Sequence, residues 1–207
     1  MRMRQGSQRG FTLLELVLAL AIVGAMLAIV FGGLRVGLRA WQRGEQSAET
    51  LQHARSLGVL LTQSLGGSHA YLGPAPAGSQ PEVLFQGEPD RVSFVTVSPP
   101  LPLQAPIAFT AVTFSVDEGD RPGFAVREKA LPNDEPFQPG TPVVVDPALT
   151  AVRFRYLRDN EGTWEERWDG AQERGLPRAV EVTLTTLVAG ERVEQPPITV
   201  PLRVTSP

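Results

Sequence analysis

Apolar positions dominate the chain from Phe11 to Leu34, a run of 24 residues in which Glu15 is the single charge. As a helix rising 1.5 Å per residue this run spans about 36 Å, enough for a hydrocarbon core of about 30 Å. Beyond it the pattern changes but keeps a helical period. Apolar or small residues recur at Leu34, Leu38, Trp41, Ala48, Leu51, Ala54, Leu57, Leu61 and Leu65. Most of these spacings are three, four or seven, which marks one face of a helix. Arg39, Arg43, Glu45, Gln46, Glu49, Gln52 and Arg55 fill the other face. No proline interrupts Phe11 to Tyr71, and Gly66-Gly67 supplies a stop. The pattern predicts one helix from Phe11 to Leu65, about 82 Å long.

The period then shortens to two. Val92, Phe94 and Thr96 share a face, as do Val112, Phe114 and Val116. The turn Asp117-Glu118-Gly119-Asp120 leads to a strand with Phe124 and Val126, and Val152, Phe154 and Tyr156 alternate with Arg153 and Arg155. Asp159-Asn160-Glu161-Gly162 reads as a hairpin turn into Trp164, Glu166 and Trp168, which share one face if they lie on one strand. Val180, Val182 and Leu184, then Ile198, Val200, Leu202 and Val204, complete about eight strands. Pro- and Gly-rich stretches at Gly66–Asp90 and Pro132–Pro142 read as loops. One long helix followed by hairpin-linked strands predicts an α+β fold with antiparallel sheets packed on the helix.

Composition narrows the chemistry. Cysteine is absent, which excludes disulfides, zinc–thiolate sites and cysteine nucleophiles. Twenty glycines and nineteen prolines suit a loop-rich β domain. The net charge of −3 becomes −6 without Arg2, Arg4 and Arg9, and no basic block points to nucleic acid. His53 and His69 lack spaced ligand partners, and the two acidic turns lack an ordered calcium-loop pattern. No catalytic residue, metal site or cofactor is expected. Gly33 and Gly37 allow either close helix approach or a joint at the membrane surface.

The basic leader and apolar run admit a secretory signal or a signal anchor, but neither explains Glu15. A carboxylate in a membrane helix is costly and usually has a partner. Cleavage after Gly10 would supply one, because Phe11 would then carry a free ammonium one turn before Glu15. The string Gly10-Phe11-Thr12-Leu13-Leu14-Glu15 resembles the class III prepilin signal of type IV pilins and type II secretion pseudopilins. The resemblance implies that a membrane peptidase cuts at Gly10 and methylates the new terminus at Phe11. It also implies that Glu15 sets assembly register by pairing with a neighbour's terminus.

Phe85-Gln86-Gly87 before Arg91–Thr96, then Val152–Tyr156, Trp164, Trp168 and Leu176–Val180, extend the resemblance to minor pseudopilin J of type II secretion. This wider resemblance implies that residues 1–10 form a leader, 11–34 a membrane and filament-core helix, 35–66 its periplasmic continuation and 67–207 a periplasmic β-rich head. It implies a protein that sits in the inner membrane and then enters a periplasmic pseudopilus, as a structural tip subunit and not an enzyme. The implied partners are the I and K minor pseudopilins, with the H type a further candidate, together with the prepilin peptidase, the inner-membrane assembly platform and membrane lipid. Trp41, Ala48 and Leu51 are the expected partner-helix contacts. A minor pilin priming a type IV pilus is the alternative within the same class.

Overall fold

The computed structural model describes residues 12–73, 81–101, 108–119, 121–158, 162–188 and 190–203. For 39, 40, 42–54 and 188 it describes the backbone only. The chain divides into two compact units, Met1–Gln46 and Ser47–Pro207.

Helix α1 covers Leu13–Gly66, within two residues of the expected start and one of the expected end. Thr12 caps it: the Glu15 amide donates to Thr12 Oγ1 (3.3 Å) and to the Thr12 carbonyl (3.1 Å). Thr12-x-x-Glu15 has the spacing of a capping box. In the first unit the side chains from Leu13 to Leu38 are exposed, apolar ones on every face. A helix that is apolar all round needs lipid or other helices around it.

In the second unit the end of α1 enters a core. Leu61 and Leu65 are fully buried and Leu57 nearly so. A Cβ on Gly58 would stand 2.9 Å from Ile198 Cδ1, so the bare glycine lets the C-terminal segment lie against the helix. The helix end is tied by polar contacts. Thr96 Oγ1 donates to the Ser64 carbonyl (2.8 Å) and Ser64 Oγ to the Ser98 carbonyl (2.9 Å). The first of these bonds satisfies a carbonyl that a helix terminus otherwise leaves open.

Two antiparallel sheets follow. The first contains β1 (Phe85–Gly87), β2 (Arg91–Thr96), β3 (Thr110–Asp117), β4 (Gly123–Ala130), β5 (Val144–Asp146) and β8 (Trp168–Asp169), in the order β5-β4-β3-β2-β1-β8. The second contains β6 (Leu149–Leu157), β7 (Trp164–Glu165), β9 (Ala179–Val188), β10 (Glu191–Glu194) and β11 (Ile198–Pro201). Strand β6 runs along one edge of β9, while β10 and β11 share the other edge. A short helix, α2 (Gly170–Glu173), is capped by the Asp169 carboxylate, which accepts the Ala171 amide at 2.9 Å.

The core is a row of aromatic rings. Centroids of Phe85–Phe94, Phe94–Phe114 and Phe114–Phe124 lie 6.4, 5.5 and 5.6 Å apart. Tyr156 from the second sheet meets Phe85 edge-on at 6.0 Å. Its hydroxyl donates to the carbonyls of Glu88 (2.9 Å) and Arg91 (3.3 Å) and so joins the sheets.

The described residues hold eleven strands where the alternation predicts about eight. The additional ones escape for identifiable reasons. β1 lies inside the stretch expected to be loop, and at three residues it is too short to show a period, yet Phe85 is wholly buried. β10 is exposed at every position and has no apolar alternation. Trp164 and Trp168 do not share a strand: the chain leaves the second sheet after Glu165 and joins the first at Trp168. Their common face is therefore not formed. Trp168 is buried, while Trp164 lies under the Arg155 guanidinium at 5.5 Å.

Candidate assembly segment

Of the expected functional residues, Glu15, Trp41, Ala48 and Leu51 lie along α1. Gly10 and Phe11 are outside the described residues. Glu15 is in the first turn, exposed, with its amide held by Thr12. That geometry gives the acid a role within its own chain, since a carboxylate in the first turn favours the helix dipole by about 0.3–1 kcal/mol. Trp41, 26 positions further on, is about 39 Å along the axis and 75% exposed. The side chains of Ala48 and Leu51 lie outside the described residues. The anticipated apolar stripe divides: Leu57, Leu61 and Leu65 belong to the head's own core, whereas Leu34, Leu38 and Trp41 remain exposed.

The stretch Leu13–Leu38 is long and apolar enough to cross a membrane. Its glycines stand open: a Cβ on Gly24, Gly32, Gly33 or Gly37 would meet nothing within 4 Å.

The polar clusters of the head serve the fold. Asp117 accepts from Arg127, which also donates to Ser115 Oγ (3.0 Å) and the Gly140 carbonyl (2.9 Å). The Arg127 guanidinium holds the Asp117 carboxyl below its ordinary value of 3.8. One acid of this turn is therefore engaged by a cation of the protein itself. Asp120, Asp159, Asn160 and Glu161 lie outside the described residues. Among the described residues no three His, Asp or Glu gather as metal ligands. Arg158 bridges Glu165 and Glu173, with Glu173 bonds of 2.7 and 2.8 Å, and its guanidinium lies 5.3 Å from the Trp168 ring. Arg158 thereby depresses the Glu173 carboxyl. This cluster is hidden in the sequence because its members come from β7, β8, α2 and the residue after β6. His69 stacks on Phe109 at 5.0 Å.

The Asp117 shift has a measurable sign. A depressed carboxylate pKa stabilises the folded state above the unfolded pKa, and that gain is lost as pH falls through the folded value. Asp117→Asn should therefore reduce stability at pH 6 and flatten the loss on acidification below about pH 4. The partly exposed pair contributes less than about 1 kcal/mol. Urea denaturation of the two proteins at pH 6 and pH 3 reads the difference.

An N-terminal apolar helix followed in the chain by antiparallel β-sheets is the α+β architecture of a pseudopilin. A model of the prokaryotic N-terminal methylation motif matches residues 5–31, the segment that includes Gly10, Phe11 and Glu15. The model of type II secretion system protein J matches residues 32–195. The chain belongs to the type II secretion system protein J family, a family of structural secretion-system subunits. It is similar to a type II secretion system protein J of Xanthomonas campestris pv. campestris, with 33% identity over 90 residues. That match covers 44% of this chain and 43% of the relative, less than half of either.

Proposed function

We propose that this chain is a minor pseudopilin acting at the tip of a type II secretion pseudopilus, where it nucleates or caps assembly and supports export of folded proteins. The observation that carries this reading is the match to protein J over residues 32–195, which takes in most of the head and the helix that enters it. The subunit is held in the inner membrane by residues 11–34 with its head, 67–207, in the periplasm. Residues 35–66 continue the helix toward partners, and residues 1–10 are the leader. A prepilin peptidase cuts after Gly10, and the new amine on Phe11 is methylated. Methylation leaves the amine cationic, so it remains a partner for a carboxylate. In the filament the apolar faces of α1 exchange lipid for neighbouring helices, and Glu15 meets a neighbour's terminal ammonium.

Trp41, Ala48 and Leu51 are the proposed contacts with partner helices. The partners are the I- and K-type minor pseudopilins, with the H type a further candidate, and the inner-membrane assembly platform. The role is structural and needs no catalytic group.

Co-purification of the chain with I- and K-type pseudopilins tests the tip assignment. A stable complex with at least one supports it, and association with neither overturns it. Gly10→Val should block processing, because a branched side chain replaces the hydrogen at the cleavage-site residue. Intact mass would then show the leader still attached.

A further inference from the structure

Between the apolar stretch and the head, α1 carries a feature that the pairing of Glu15 does not use. The stretch able to cross a membrane ends at Leu38, and Trp41 stands three residues beyond it, 75% exposed. Three residues are about 4.5 Å of helix. The headgroup layer outside a hydrocarbon core is about 5–7 Å deep on each side. Helical side chains lean toward the N-terminus, here toward the bilayer, which puts the indole at the depth where tryptophan is enriched.

Arginines recur at 35, 39 and 43, one ridge of the helix. Arg35 lies in the last turn of the apolar stretch and is exposed, and its stem is long enough to carry the guanidinium outward to the same layer. No Asp or Glu occurs between Glu15 and Glu45, so none of the three arginines has an acid three or four positions away. Helical spacing also sets Trp41 about 120–160° around the axis from these arginines. A partner helix covers one face, whereas a headgroup layer encircles the rod.

We propose that in the membrane-resident subunit Trp41, Arg35, Arg39 and Arg43 form a collar that binds anionic phospholipid headgroups on the side of the bilayer facing the head. The collar rests on the proposed membrane residence of the N-terminal part of α1, with the hydrocarbon boundary at the end of the apolar stretch, Leu38. It breaks when the subunit is extracted, which releases the same indole for a partner helix. Processing removes Arg2, Arg4 and Arg9 but leaves this collar in place, so it is the positive anchor that assembly must overcome.

The test uses the full chain reconstituted in phosphatidylethanolamine vesicles. These carry a fixed fraction of either phosphatidylglycerol or phosphatidylcholine brominated at shallow acyl positions. Flotation comes first: a chain that does not float with the vesicles overturns the membrane residence and the collar with it. For a floating chain, the Trp41 signal is the emission lost in Trp41→Phe, which separates it from Trp164 and Trp168. The collar predicts that this signal is quenched by shallow bromines, and more by phosphatidylglycerol than by phosphatidylcholine. The triple variant Arg35→Gln, Arg39→Gln, Arg43→Gln should still float and still be quenched, but with the lipid preference lost. A floating chain whose Trp41 is unquenched, or is quenched equally by both lipids before the arginines are changed, overturns the collar alone.

Discussion

Glu15→Leu should leave the chain inserted and cleaved and should stop it from assembling. Leucine makes the apolar run more apolar, so membrane insertion cannot suffer from the loss of charge. What is lost is an anion in the first turn of α1. A carboxylate and an ammonium about 4 Å apart attract by about 4 kcal/mol at an effective dielectric constant near 20, close to a thousandfold in an association constant. Desolvation and ordering take part of this, yet no other charge in the run from Phe11 to Leu34 replaces it.

The capping geometry supplies the control. Glu15 also sits three residues after Thr12, which caps its amide. Glutamine serves that capping position as well as glutamate does. Glu15→Gln therefore keeps the cap and removes the charge. If the ion pair drives assembly, secretion fails in both variants while cleavage of the leader proceeds in both. Secretion by the glutamine variant would show that Glu15 acts only as a helix-starting residue.

The second large effect lies in the head. Gly87→Ala should lower its unfolding free energy by about 3–5 kcal/mol, from overpacking together with loss of a buried hydrogen bond. A Cβ on Gly87 would stand 2.3 Å from Tyr156 Cζ. The ring cannot retreat without cost, because its hydroxyl holds the Glu88 carbonyl and its edge packs on Phe85. Burial and the nearby acids Glu88 and Asp90 keep that phenol protonated, raising its pKa far above the ordinary value of 10.0. Domains of this size have about 5–15 kcal/mol in hand, so the variant is left marginal. A double-mutant cycle isolates the cause. With Tyr156→Ala already present, Gly87→Ala should add little, and full additivity in urea denaturation would rule out the clash.

The helix is legible in the sequence because its apolar run, its stripe and its glycine stop all agree on one element. The long strands β2, β3, β4, β6 and β9 are legible for a similar reason, since each buries alternate residues or more along much of its length. The short strands are not. β1 has three residues, and its burial depends on Phe94 and Tyr156 arriving from distant positions. The two tryptophans mislead because residues four apart on one strand share a face, whereas here the chain changes sheets between them. The cap at Thr12 is visible as Thr-x-x-Glu, but the charge of Glu15 masks its second role as a helix-starting residue. The arginine ridge at 35, 39 and 43 is visible too, but it acquires meaning only once the end of the apolar stretch and the exposure of Trp41 are fixed.

The pairing of a freed chain terminus with Glu15 is read most directly by intact mass and N-terminal sequencing of the protein isolated from secreting cells. The expected chain starts at Phe11 and carries one added methyl group. A chain that retains Gly10 and the residues before it while export proceeds would contradict that pairing.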